Sequence, residues 1–180
     1  MGVTTPALLT FEEFEQMPEN PGKQELINGE LFELPPASQK HNLKSENLFL
    51  LLRSALADAH ARGEAKGLGR VCIEAGYKLG GNWAQPGVSI THADQPVGTY
   101  FEGAPAIAIE VVSPSNTARL LQAKTRLYFA HGAREVWQVF DDPLEILIDT
   151  GGHYRILAAD DKVATPLLPG FTLSVRDLLA

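Results

Sequence analysis

The spacing of apolar residues changes several times between Thr10 and Ala180, and each change marks an element. Thr10 with Glu13 three residues later forms a capping box ahead of "FEEFEQM", which predicts a short helix ending near Pro18. "QELINGELFELP" alternates on both sides of Asn28-Gly29, the composition of a two-residue hairpin turn. From Ser38 to about Arg62, Leu48, Leu51, Leu52, Ala55, Leu56 and Ala59 recur at helical spacing, so a long amphipathic helix follows, ended by Gly63 and Gly67. "RVCIEAGYKL" and "WAQPGVSIT" flank Gly80-Gly81-Asn82 and predict a second hairpin. "PAIAIEVVS" is uninterrupted, the pattern of a central strand covered on both faces. "NTARLLQAKTRLYFAHG" sets Leu120, Leu121, Leu127 and Tyr128 on one face of a helix closed by Gly132. "EVWQVFD" reads as a strand, "LEILIDTGGHYRIL" as a hairpin turning at Gly151-Gly152, and "LLPGFTLSVRDLLA" as a strand with a short turn. The fold class is α/β, a mixed β-sheet flanked by helices with N-terminal and C-terminal hairpins.

With 180 residues, of which 44% are hydrophobic, and with no linker, repeat or low-complexity stretch, the chain is expected to form a single domain over residues 1–180. Its formal charge of −7 opposes any chain-wide attraction to phosphate, so a nucleic-acid partner requires a local basic patch. Cys72 is the only cysteine, which excludes a disulfide frame and a zinc knuckle and leaves a small core residue as the ordinary reading. "MGVTTPALLTFEEFEQ" lacks the basic start and apolar stretch of a signal peptide, and Pro6 stands where a myristoylation motif after Gly2 requires Ser or Thr. No window reaches membrane-spanning length. The expected compartment is the cytoplasm, with no membrane partner.

The chemistry centres on Glu110, one carboxylate inside "AIAIEVVSPS". A period of two places it on the face of Ala106, Ala108 and Val112, with Ile107, Ile109 and Val111 opposite. Burying an unpaired carboxylate is costly, so Glu110 needs a cation, a strong donor or open solvent, and a structural ion pair would satisfy it equally. Lys124 lies within the apolar stripe of the following helix, while Arg119, Gln122 and Arg126 take the solvent face. The pair reads as an inward-facing acid and base; a lysine stem passing a leucine stripe toward water is the alternative. Pairing Leu79 with Asn82 and counting outward brings Glu74 opposite Gly87, with Gln85 and Ser89 on the same polar face. Glu74 as a solvated partner of Lys78 stands beside any functional role. His92, His131 and His153 have no ligand spacing, and Trp83 and Trp137, without alternating basic residues, suit core or hairpin positions better than base stacking.

In order along the chain, "QELINGEL", "PPASQKH", "QPGV", "IEVVSPSN", Lys124 with Tyr128 four residues on, and "GAREVWQVFD" resemble the abundant bacterial restriction-endonuclease group within the PD-(D/E)XK nuclease superfamily. The resemblance runs from about Thr10 to the last residues. It implies a restriction-endonuclease-like fold and metal-dependent phosphodiester cleavage of DNA. One acid from a "PD" turn and one from an "E-x-K" strand then hold a divalent ion such as Mg²⁺, which neutralises phosphate charge and acidifies its water. Carried over, Glu110 is the strand acid, and Lys124 supplies the lysine that positions or deprotonates water, since Val112 occupies the strand's lysine slot.

Two departures stand against this pattern. Gly87 directly follows Pro86 where the "PD" acid belongs, and Leu120 replaces a further acid four residues before Lys124. Glu74 could return the carboxylate that Gly87 lacks. Glu25 matches an acid carried ahead of the first hairpin turn, either an outer metal ligand or a surface charge. His41, with Lys40 and Lys44, matches a family histidine that would touch phosphate at a helix N-terminus, or else belongs to a capping cluster. The expectations are that Glu110 and Lys124 meet in a small cleft that also receives Gln85 and the space beside Gly87, that Mg²⁺ binding is weak, and that catalysis is weak or absent. The alternative is a catalytically inactive binding or assembly module, working as a homodimer. A positive-φ bulge at Gly87 would further oppose any side chain there.

Overall fold

In the computed structural model, residues 8–18, 22–113 and 116–180 are described; Gly2 and Pro6, and Pro114 and Ser115, lie outside them. Thr10 caps α1 (Phe11–Glu15) reciprocally: its hydroxyl accepts from the Glu13 N–H and the Glu13 carboxylate accepts from the Thr10 N–H. Phe11 and Phe14 seat this short helix against Trp83 and Tyr100. Strands β1 (Lys23–Ile27) and β2 (Glu30–Leu34) form the first hairpin, turning through Asn28 at φ 54° and Gly29 at φ 79°. Two successive positive φ values match the right-handed twist of the flanking strands, which is why Asn-Gly sits there. Ser38 caps α2 (Gln39–Ala61), whose Leu48, Leu52, Leu56 and Ala59 are buried.

The expected second hairpin is broken in both arms. Its outer part is β3 (Leu68–Ile73) with β6 (Val88–His92), and its inner part is β4 (Tyr77–Leu79) with β5 (Asn82–Ala84). The pairing itself continues through the break, because the Glu74 N–H donates to the Gly87 carbonyl at 3.0 Å. The two parts join different sheets. Local chemistry explains the bend. Pro86 has no N–H to give to a ladder, Glu74 takes φ 49°, and a Cβ at Gly76 would lie 2.0 Å from the Trp83 ring, so the indole closes on a backbone only glycine permits.

The remaining elements are β7 (Phe101–Glu102), β8 (Ile107–Val111), α3 (Ala118–Ala130), β9 (Glu135–Phe140), β10 (Glu145–Asp149), β11 (Tyr154–Ala158), β12 (Lys162–Val163), β13 (Leu173–Ser174) and α4 (Val175–Leu178). One sheet runs β11-β10-β9-β8-β6-β3, the other β2-β1-β5-β4-β7, and β12 pairs with β13. β8 therefore stands inside the first sheet, antiparallel to β6 and parallel to β9, with all five residues buried. On one face of that sheet, Ile107, Ile109, Val111, Val139 and Trp137 pack against Leu48, Leu52 and Leu56 of α2 and Val175 and Leu178 of α4. On the other, Ala108 and Val136 meet Leu120, Leu127 and Tyr128 of α3 together with Ile27, Tyr77 and Leu79 of the second sheet. Ala106 precedes β8 and packs with the α2 side, so it does not share the Glu110 face as the strand period suggested. Among the described residues no helix is long and apolar enough to cross a membrane.

Candidate functional site

Three elements deliver charge to one point between the sheets. Glu110 comes from β8, Lys124 from α3 and Glu25 from β1, with 6%, 1% and 0% exposure. The Lys124 Nζ lies 2.7 Å from Glu110 Oε1 and 2.8 Å from Glu25 Oε1, so the expected acid and base meet, but a second acid shares the base. One helical turn beyond Lys124, the Tyr128 hydroxyl donates to the same Glu110 Oε1 at 2.7 Å. The Gln85 backbone N–H donates to Glu25 Oε1 at 2.8 Å. Glu25 is thus no hairpin surface charge. It stands where Leu26 and Ile27 bury the end of β1.

The charges continue outward in alternation. Lys23, two residues before Glu25 and so on the same strand face, lies 3.9 Å from Glu25 Oε1 and 3.3 Å from Glu74 Oε2, and His41 Nε2 lies 3.8 Å from Glu74 Oε1. Glu110, Lys124, Glu25, Lys23, Glu74 and His41 form one string of opposite neighbours. Three carboxylates against two ammonium groups leave one negative charge, and protonation of His41 would cancel it. Lys78, the expected partner of Glu74, instead lies over the Phe11 ring, 4.4 Å from its centre.

Burial alone would lower the Lys124 ammonium, but Glu110 and Glu25 beside it outweigh that and hold it above its ordinary value. It keeps its proton. Burial, reinforced by Glu110, pushes the Tyr128 hydroxyl up. For Glu74, partial burial raises the carboxyl and the His41 and Lys23 contacts more than reverse this, so it sits below its ordinary value.

A cleft of about 640 Å³ opens over this string, lined by Glu110, Lys124, Glu74, Lys23, His41 and Gly87 among others. Gln85 does not line it, contrary to expectation, because what Gln85 contributes is its backbone N–H toward Glu25. Ser89 turns its hydroxyl to Tyr77, 2.8 Å away. Gly87 does not have a positive φ, so the anticipated bulge is absent, and a Cβ there would meet Val111, the Ile109 carbonyl and the Ser45 hydroxyl at 3.5–3.6 Å, ordinary contact. A side chain fits. Leu120 is different: it is 2% exposed within the apolar cluster under α3, so the second missing acid has been replaced by core.

The donor set does not fit a divalent ion. Among the described residues no group of three or more His, Cys, Asp or Glu side chains is gathered to hold one. Lys124 already occupies Oε1 of both inner carboxylates, and Glu74 has the Lys23 ammonium at one oxygen and the His41 ring at the other. Mg²⁺ asks for octahedral oxygen ligands; among the described residues the buried side-chain oxygens left without a hydrogen-bond partner are Glu25 Oε2 and the Ser45 hydroxyl. The sequence reading missed Lys23, Tyr128 and Ser45 as contributors. The spacing of Lys23 and Glu25 on one strand face, and of Lys124 and Tyr128 on one helix face, carried the signal for two of them.

The sequence matches the Uma2 family model, described as "Putative restriction endonuclease", over residues 11–176. A solved structure from Anabaena variabilis, described as "a putative nuclease belonging to DUF820", superposes with a TM-score of 0.78 over 95% of this chain and 97% of that one, at 19% identity. That similarity establishes the fold. No curated protein matches the sequence.

Proposed function

From the chain's membership of the restriction-endonuclease family named above, we propose that it is a relative of Mg²⁺-dependent DNA phosphodiesterases whose metal site is degraded and whose cleavage is weak or absent. The observation that carries this reading is the Lys124 ammonium shared between Glu110 and Glu25. A divalent cation entering beside Glu110 would meet that ammonium. Two unit charges about 4 Å apart interact by about 4 kcal/mol in a protein environment with effective dielectric near 20. Repulsion from Lys124 and the loss of an acid at Gly87 each act on that scale. Lys124 holds its proton too firmly to take one from water, so its contribution to any residual chemistry is fixed positive charge toward an anionic group in the cleft. Glu110, with Oε1 engaged by two donors, has only Oε2 to offer.

Calorimetric titration with Mg²⁺, paired with a plasmid-cleavage assay on the same preparation, tests the proposal. The unmodified chain should show no saturable binding in the low millimolar range, about 1–5 mM, and no cleavage above a protein-free control. Gly87→Asp, whose Cβ meets only ordinary contacts at Gly87, adds a carboxylate to the cleft wall and should bring measurable binding in a variant shown by circular dichroism to be folded. Robust Mg²⁺-dependent cleavage by the unmodified chain, abolished by Glu110→Gln and by Lys124→Met, would overturn it.

The second reading is an inactive binding or assembly module acting as a homodimer. It is favoured by β11, which ends the six-stranded sheet and carries Tyr154 and Ile156 at 71% and 54% exposure. An open strand edge bearing apolar side chains is a template for pairing. Light scattering coupled to size exclusion should then give twice the monomer mass, reduced to monomer by Ile156→Lys.

A further inference from the structure

A second cavity of about 330 Å³ adjoins the cleft at the start of α2 and shares Ser38, His41, Val111 and Ser113 with it. Lys40 and Lys44 enter it one helical turn apart and both pair with a single carboxylate, that of Asp141 just after β9. Lys44 is buried, with 7% exposure, while Asp141 is exposed. Two ammonium groups share one counter-charge. The first turn of α2 carries no acidic residue, so beyond the Ser38 hydroxyl that accepts from the His41 N–H, the N-terminal end of a 23-residue helix adds partial positive charge with no carboxylate of its own beside it. Asp142 also lines the cavity but makes no ion pair with either lysine. Val111, Val112, Val139 and Phe140 give the cavity an apolar wall as well.

We propose that this cavity is a phosphomonoester site, in which the incoming phosphate displaces Asp141 from Lys40 and Lys44. The exchange is decided by charge and oxygen count. Asp141 offers one negative charge and two oxygens; a phosphomonoester near pH 7 carries about −1.5 to −2 and three acceptor oxygens. A phosphodiester carries one charge and gains nothing over Asp141. Being exposed, Asp141 can turn into solvent without uncovering core, and the apolar wall takes the carbon framework of the ester. The same chemistry is presented by a free nucleotide and by a 5′-phosphorylated strand end. The site uses neither Glu110 nor a metal, so it stands or falls apart from the nuclease reading.

Titration in metal-free buffer, followed by calorimetry and ³¹P NMR, distinguishes the sources with four probes: inorganic phosphate, thymidine 5′-monophosphate, and a short single strand with and without a 5′-phosphate. Either phosphorylated ester should bind, and the strand lacking 5′-phosphate should bind at least about tenfold more weakly. Nucleotide binding identifies a mononucleotide site, and binding of the phosphorylated strand alone a strand-end site. Lys44→Met should weaken binding by about tenfold or more. Asp141→Asn, checked by circular dichroism to be folded because it leaves the buried Lys44 without its counter-charge, should tighten it by a similar factor, since it removes the competing carboxylate that holds the lysines in the free protein. Unchanged or weaker affinity in Asp141→Asn, equal binding of both strands, or binding of inorganic phosphate alone would overturn the proposal.

Discussion

Replacing Lys124 by Met keeps the length of the side chain and deletes the charge on which two buried carboxylates depend. Removing one partner of a buried ion pair costs about 3–5 kcal/mol, because the remaining charge stays desolvated and uncompensated. Here two acids are left facing one another, but Tyr128 still donates to Glu110 and the Gln85 N–H to Glu25, so the expected loss stays within that range. Against a total stability of about 5–15 kcal/mol for a native domain, this is large. Without the ammonium, Glu25 and Glu110 are buried like charges with no cation between them. Urea unfolding followed by Trp fluorescence, at about pH 7.5, measures the effect. A loss of about 3–5 kcal/mol is expected, with Glu25→Gln in the same background recovering at least about 1 kcal/mol. A loss below about 1 kcal/mol would mean that the three charges are solvated and would refute the network.

Two further changes probe its supports. Tyr128→Phe removes a donor to a charged group and should cost about 1.5–3 kcal/mol in thermal or urea unfolding without altering the secondary structure seen by circular dichroism; no change would mean that the hydroxyl is solvated instead. Gly76→Ala drives a Cβ into the Trp83 ring and should cost about 1–3 kcal/mol or more with a shift in Trp fluorescence, whereas wild-type stability would show that the bend between the sheets is soft.

The order of elements was legible because each carries its own period: two across β8 and through the first hairpin, 3.6 across α2 and α3. The hairpin register around Gly80 and Gly81 was legible too, since it needs only a turn and a count, and that count held from Leu79 and Asn82 out to Val71 and Ile90. What alternation could not reveal is that this ribbon changes sheets halfway. A strand leaving one sheet for another keeps its period, and the cause, the Trp83 indole seated on the Gly76 backbone, is a contact between residues seven positions apart across a turn.

The inner site was legible for a similar reason. A carboxylate in an apolar strand and a lysine in an apolar helix face each require a partner, and the shortest solution is one another. Lys23 on its flank escaped because counting metal ligands attends only to acids. Lys23 precedes Glu25 on the same strand face, and its ammonium ties Glu25 to Glu74, the carboxylate that could have stood in for the acid missing at Gly87. Glu74 sits across the ribbon from Gly87 as the register required, yet position in the backbone did not determine where the carboxylate turned: an opposite charge 3.3 Å away did. Restoring one acid at Gly87 therefore changes the sum of charges in the cleft, whereas moving Glu74 toward a metal would first have to separate it from Lys23 and His41. The two departures from the nuclease pattern are physically unequal as well. Gly87 borders the cleft with room for a Cβ at ordinary contact distance, while Leu120 is packed into the core beneath α3, where an acid would face apolar neighbours.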